Sequence, residues 1–163
     1  MSIDPKRWLV LGYGSLYLDP LKVKESLEGT SNYLTDNIKI LLNEKVIGNL
    51  ASNHVVIGVP TTKSYSRTFN LPLAVEKSLK DAIEVEVDQY IPIPSQALYL
   101  DYEVINRNKK EITVLLSAIP RPIVDKCIEA TKSAGLMPTM VEPSISAVGR
   151  VLAATEDGSL PTV

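Results

Sequence analysis

The sequence predicts an α+β fold. Residues 71–94, LPLAVEKSLKDAIEVEVDQYIPIP, carry apolar residues at three- and four-residue steps, as on one face of a helix. Residues 97–105, ALYLDYEVI, alternate apolar and polar side chains, as a half-buried strand does. From residue 64 onward the predicted elements follow the order strand, acidic helix, two hairpin strands, helix and strand, which is an α+β arrangement.

The composition excludes several classes of function. At 163 residues the chain forms one domain or two small subdomains, and its net charge of −2 argues against a nucleic-acid partner, because phosphate binding needs a basic face. One cysteine rules out a disulfide framework and suits a reducing compartment. We see neither a leader peptide nor an apolar run near the roughly 18 residues of a membrane span. We therefore expect no direct membrane insertion.

The first predicted strand covers residues 7–18 and bends at Gly12 or Gly14. The pair of glycines suggests a phosphate loop, but a dinucleotide fingerprint needs a third glycine where Tyr17 stands, and a helix directly after it. We therefore favour a strand with flexible glycines.

A connection with room for a short helical turn follows over residues 19–30. Residues 31–45 form a predicted helix, with Thr30 or Ser31 as its N-cap. The continuous apolar run 55–60, VVIGVP, is typical of a strand buried on both faces. His54 has no second metal ligand at useful spacing, so we expect a hydrogen-bonded histidine at the strand entrance.

Residues 64–70 alternate as a half-exposed strand, with Tyr65, Arg67 and Phe69 on one side. In the helix that follows, one apolar stripe is predicted, made of Leu79, Ala82, Ile83, Val87 and Tyr90. The acidic side chains Glu84, Glu86 and Asp88 could form a cation site, but a solvated acidic face is the simpler interpretation, since no calcium loop is present.

The C-terminal half begins with an antiparallel hairpin, in which the polar turn 106–110 joins the strand 97–105 to the strand 111–119. Because EITVLLSAI is apolar on both faces, we predict that 111–119 is the central strand. A helix opens at Pro122, places Cys127 on its apolar face and stops at Gly135. A strand over 137–142, a helix over 144–154 and a loop over 156–163 complete the chain.

Five phrases in the chain resemble a known family. They are VVIGVP at 55–60, RTFNLP at 67–72, DQYIPIP at 88–94, LYLDYEV at 98–104 and KSAGLMPTMVEPSISAVGR at 132–150. Together they resemble the type IV pilus assembly protein PilM, an actin-like ATPase-fold family related to the division protein FtsA. The similarity covers roughly residues 8–154.

The resemblance implies a domain organisation. Residues 1–60 and 143–163 would form a partial first actin-like subdomain, and residues 64–142 an inserted small α+β subdomain of strand-helix-strand-strand-helix-strand order. Both phosphate-binding loops of the family and its second actin-like half are missing from this sequence. We therefore expect no enzyme activity and no cofactor, with ATP and magnesium expected only in a full-length family member.

The resemblance also implies a function. A family member binds the short cytoplasmic N-terminal tail of a bitopic pilus-assembly membrane protein, PilN, so we expect a cytoplasmic adaptor held at the inner membrane through its partner. The candidate contacts are Tyr90, Ile91, Pro92, Ile93, Pro94, Tyr99, Asp101 and Tyr102. The competing interpretation is that Tyr90 and Tyr102 are core residues.

Three alternatives stay open. The chain could be a related adaptor of type II secretion, an FtsA-like division protein, or an ATPase fragment that another chain completes. Strands left without neighbours could also pair with a second copy, so a homodimer through exposed or exchanged strands is a further expectation.

Overall fold

The computed structural model describes residues 2–4 and 9–155, with side chains described over 9–152. Eight strands and five helices occur in this part of the chain. The strands are β1 Ser2–Asp4, β2 Leu9–Gly14, β3 Val46–Gly48, β4 His54–Val59, β5 Tyr65–Pro72, β6 Leu98–Arg107, β7 Glu111–Pro120 and β8 Met137–Pro143. The helices are α1 Pro20–Leu27, α2 Tyr33–Glu44, α3 Leu79–Tyr90, α4 Arg121–Ser133 and α5 Ser144–Thr155. The predicted C-terminal loop 156–163 lies outside the described residues.

The chain forms two compact units. The first comprises residues 1–57 and 122–141, and the second comprises residues 58–121 and 142–163. Helix α4, from Pro122 onward, belongs to the first unit, whereas the hairpin that precedes it belongs to the second. The subdomain borders implied by the family resemblance concern the architecture of a longer protein, and they stay a prediction.

In the first unit, β1, β2 and β3 form an antiparallel sheet in that order. Gly12 of β2 lies opposite Gly48 of β3, and a Cβ atom on Gly12 would lie 2.5 Å from the carbonyl oxygen of Asn49. Gly48 has a φ of +87°, and a Cβ atom there would collide with the carbonyl oxygen of Leu11. These glycines therefore allow a close approach of two backbones. The phosphate-loop interpretation has no structural counterpart here.

Helices α1 and α2 differ from their predictions at their N-terminal ends. Residues 20–27 form a full helix, because Pro20 suits its first position and Asp19 accepts a hydrogen bond of 2.9 Å from the N–H of Leu21. For α2 the predicted caps Thr30 and Ser31 are wrong, since the cap position is Asn32.

The strands β4 and β8 form a two-stranded sheet. The prediction that this stretch is buried on both faces is wrong: Val56 is 54% exposed and Ile57 only half-buried. In the described chain β4 has one neighbouring strand, β8, whereas a continuous apolar run is typical of a strand inside a larger covered sheet. His54 does begin the strand and lies 3.3 Å, through Nδ1, from the hydroxyl of Ser52, as expected.

The second unit is built on a three-stranded antiparallel sheet with the order β5-β7-β6, so the predicted central position of β7 is confirmed. Only one face of β7 is fully covered, which corrects the prediction of two apolar faces. Its buried residues are Ile112, Val114, Leu116 and Ala118, whereas on the other face only Ile119 is buried and Thr113, Leu115 and Ser117 are half-buried. The covered face packs against α3 through Ile83 and Val87, each 1% exposed.

The acidic helix is shorter than its pattern predicts. Leu71 and Pro72 end β5 opposite Ile112 and Glu111, residues 73–78 form 3₁₀ turns, and α3 begins only at Leu79. Two causes favour this outcome. Leu71 fills the core in an extended conformation, and a residue before proline is disfavoured in a helix.

Candidate functional site

A groove follows β5 beside α3, with a volume of about 450 Å³. We call it the β5–α3 groove. It is lined by Ser64, Tyr65, Ser66, Arg67, Phe69, Glu86, Val87, Tyr90, Ile91 and Leu116. All of these residues belong to the second unit.

The two walls of the groove follow from two backbone periodicities. Successive side chains of a strand point to opposite faces, so Tyr65, Arg67 and Phe69 share the face of β5 that α3 covers. Residues four apart on a helix lie on one side, so Glu86 and Tyr90 stand one above the other. The groove therefore lies between the side chains of β5 and those of the second half of α3.

Arg67 and Tyr90 form the central contact of the groove. The guanidinium carbon of Arg67 lies 3.9 Å from the centre of the Tyr90 ring, in the range of a cation–π interaction. Such a stack leaves the N–H groups at the edge of the guanidinium available to a planar acceptor. Among the described residues, no carboxylate lies within salt-bridge distance of Arg67.

The acidic residues of α3 do not form a metal centre. Asp88 accepts hydrogen bonds from the N–H of Ser95 at 2.8 Å and from its hydroxyl at 3.3 Å. We call this pair of contacts the Asp88–Ser95 clip. In the part of the chain that the structure describes, no three His, Cys, Asp or Glu side chains are placed to hold a metal ion together.

The lone cysteine is an unsuitable nucleophile. Cys127 is half-buried on α4, and this burial raises the pKa of its thiol. A reactive cysteine needs a lowered pKa and an electropositive setting. The structure therefore agrees with the interpretation of Cys127 as a packing residue.

The structure places the first predicted segment, residues 90–94, at the end of α3. Tyr90 and Ile91 line the β5–α3 groove, where Tyr90 is 51% exposed and Ile91 belongs to the core. Ile93 packs against the same core, while Pro92 and Pro94 face solvent outside the groove. The competing interpretation of Tyr90 as a core residue is therefore wrong.

The second predicted segment lies on the other edge of the sheet. Tyr99, Asp101 and Tyr102 are exposed residues of β6, which β7 separates from β5. Tyr99 stacks with Arg121 at 4.4 Å from the ring centre. The structure thus divides the predicted contacts between two places, and only the first of these includes the groove.

Sequence reasoning did not select Tyr65, Arg67, Phe69 and Glu86 as site residues. The alternation in residues 64–70 put three of them on one side, which is the correct face. Their proximity to Tyr90 arises from the packing of α3 on the sheet, and no spacing along the chain encodes that contact. The available signal was Arg67 itself, the single charged residue of the alternating segment 64–70.

None of the helices in the described part of the chain has the length and apolar character that crossing a bilayer requires. Two solved structures match part of this chain. One, described as the "PilM-PilN type IV pilus biogenesis complex", matches with a TM-score of 0.64 and 24% identity, and the match covers 77% of this chain. The other, the cytoplasmic domain of EpsL of the type II secretion system of Vibrio cholerae, has a TM-score of 0.47 and 14% identity, covering 68% of this chain and 41% of that one.

The match to the first of these structures spans only 38% of the length of that chain, so this chain corresponds to a part of it. At 24% sequence identity, this match shows a shared fold. A comparison with protein families gives the more specific result. Residues 24–161 match the family described as "Type IV pilus assembly protein PilM", a stretch that includes parts of both units and the whole β5–α3 groove. The chain belongs to the PilM family of type IV pilus assembly proteins.

Proposed function

We propose that this chain is an adaptor of the type IV pilus assembly platform, and that its β5–α3 groove binds the short cytoplasmic tail of a membrane-anchored partner. One observation carries the proposal. An exposed arginine, which has no carboxylate partner within residues 9–152, lies stacked on an exposed tyrosine, in a groove bordered by a sheet edge.

The groove suits a peptide. Its walls combine aromatic and aliphatic surface from Tyr65, Phe69 and Tyr90 with one cation and one anion, Arg67 and Glu86. Tyrosine and arginine are enriched among the residues that dominate binding energy at protein interfaces. Recognition of an extended segment needs no catalytic group.

The family supplies a candidate partner. The solved structure with the 0.64 TM-score is named as a complex of PilM with PilN, and we infer a PilN-like partner for this chain as well. On this proposal the chain acts in the cytoplasm and is held at the inner membrane by the partner's tail. We propose that this binding requires no bound nucleotide.

Titration calorimetry tests the proposal. The probe is a synthetic peptide of the cytoplasmic N-terminal tail of the bitopic membrane protein encoded beside this chain. We expect saturable one-to-one binding, which Tyr90→Ala weakens about thirtyfold or more, as removal of a hot-spot residue worth about 2 kcal/mol does. Arg67→Gln should weaken binding about tenfold.

The matched control is Tyr102→Ala. Tyr102 is 40% exposed, against 51% for Tyr90, but it lies on β6 outside the groove. We expect its replacement to change the affinity less than threefold. Equal losses for both tyrosines would move the site away from the groove, and a folded chain that binds no tail peptide would refute the proposed function.

A further inference from the structure

We propose that the partner's tail binds by adding a fourth strand to the free edge of β5, and that an acidic side chain of the tail contacts Arg67. This inference rests on the proposed function and specifies its binding mode. It concerns an extended peptide, because only an extended backbone can continue a sheet.

The edge of β5 has unshared backbone groups. In the order β5-β7-β6, β7 is the one strand of the described chain that pairs with β5. The N–H of Leu73, just after β5, donates to the carbonyl of Lys110 at 2.8 Å. Counting back by twos from Leu73, the backbone groups of residues 71, 69, 67 and 65 face β7. Backbone groups alternate sides along a strand, so those of Ser66, Thr68 and Asn70 point away from β7.

The two edges of the sheet differ in how well they resist an added strand. On β6, Asp101 and Glu103 are exposed, and a bulge interrupts the register between Val104 and Asn106. Charged side chains and bulges both disfavour strand addition. On β5 the register is uninterrupted from residue 65 to 72, and Arg67 is its only charged residue. The edge beside the groove is therefore the one that can accept a partner.

An added strand would bring its side chains into the groove. Every second side chain of the new strand would lie on the same face as Tyr65, Arg67 and Phe69, next to the ring of Tyr90. These inward positions suit apolar side chains. The stacked guanidinium of Arg67, which has no carboxylate partner among the described residues, suits one aspartate or glutamate.

The first test is a backbone scan of the synthetic tail peptide, in which each residue in turn is N-methylated. Strand addition predicts an alternating pattern, because only every second N–H faces β5. We expect affinity losses of at least tenfold at alternate positions and less than threefold at the positions between them. Binding without this alternation would overturn the inference and leave the proposed function in place.

The second test changes β5 itself. Thr68→Pro removes an outward N–H, and proline is tolerated on an edge strand when its N–H side faces solvent. We expect Thr68→Pro to lose at least tenfold in affinity for the unmodified peptide, and Thr68→Ala, the matched control that keeps the N–H, to stay within about twofold. Circular dichroism checks that each variant is folded. A folded Thr68→Pro variant with full affinity would contradict strand addition, and the peptide scan decides the question if that variant does not fold.

The third test addresses the acidic side chain. Each aspartate or glutamate of the tail peptide is replaced by its amide, and each peptide is measured against the unmodified chain and Arg67→Gln. We expect one replacement to weaken binding to the unmodified chain about tenfold and to have no further effect on Arg67→Gln. If the loss persists in Arg67→Gln, or if no replacement matters, the carboxylate contact with Arg67 is refuted. Absence of any binding would refute the proposed function and this inference together.

Discussion

Glu142 and Arg150 form an ion pair that changes the pKa of a carboxyl and connects two elements. Two hydrogen bonds of 2.6 Å join the carboxylate to the guanidinium, with Glu142 only 8% exposed. These hydrogen bonds, more than the attraction of the positive charge, lower the pKa of the Glu142 carboxyl and outweigh the opposing effect of its burial. The pair connects the end of β8 to α5 within the second unit.

This lowered pKa predicts a pH-dependent contribution to stability. A carboxyl whose pKa is lower in the folded chain than the unfolded value of about 4.3 stabilises the fold above that value. The contribution is lost as the pH falls through the folded pKa. We expect Glu142→Gln to lower the Tm by roughly 2–4 °C at pH 7, and this difference to shrink progressively as the pH falls below about 4. Differential scanning calorimetry measures this, with the exposed Glu103→Gln as the control, and a pH-independent difference would contradict it.

At the level of the element, α3 shows where sequence periodicity suffices. The apolar stripe correctly predicted that Ile83 and Val87 are buried, because the helical period fixes which residues share a face. It did not predict the start of the helix. Leu71 also fits the periodic pattern, but its side chain is used by the sheet opposite Ile112. Where a pattern suits both helix and strand, tertiary packing determines which of the two forms. Packing cannot be read from one sequence.

Two valines of this helix provide a matched pair for a stability measurement. Val87 is 1% exposed in the core, and Val85 is 60% exposed on the opposite side. We expect Val87→Ala to lower the free energy of unfolding by about 2 kcal/mol, through lost burial and the cavity left behind. Val85→Ala should change it by less than about 0.5 kcal/mol. Urea unfolding at pH 7 gives both values, and similar losses would mean that α3 does not pack as described.

For the molecule as a whole, short sequence phrases said more about the family than the chemistry of individual residues did. The phrases DQYIPIP and LYLDYEV, placed in order, identified the family that the comparison with residues 24–161 confirms. Of the groove only Tyr90 and Ile91 were predicted, because the rest requires β5 and α3 to be placed in three dimensions, and Arg67 and Tyr90 are far apart in sequence. The homodimer through exposed or exchanged strands stays a prediction.

A thermal-shift experiment separates an adaptor from an ATPase at this scale. A ligand that binds only the folded chain raises its Tm in proportion to RT ln(1 + [L]/Kd). We expect the tail peptide at a hundredfold excess over its Kd to raise the Tm by several degrees, consistent with about 2.7 kcal/mol of stabilisation. Magnesium ATP at about 1 mM should leave the Tm unchanged within error. A shift with nucleotide would favour an ATPase fragment over an adaptor that acts alone.

The Asp88–Ser95 clip has a consequence for proteolysis. It fastens the end of α3 to the residue that begins the turn before β6, so the intervening segment is closed at its base. Ile91 and Ile93 hold that segment against the core from within. Exposed loops are cut when they can open into a protease, and a loop fastened at its base and packed along its length opens rarely. The segment should therefore remain intact at the surface, keeping Tyr90 in position beside the groove.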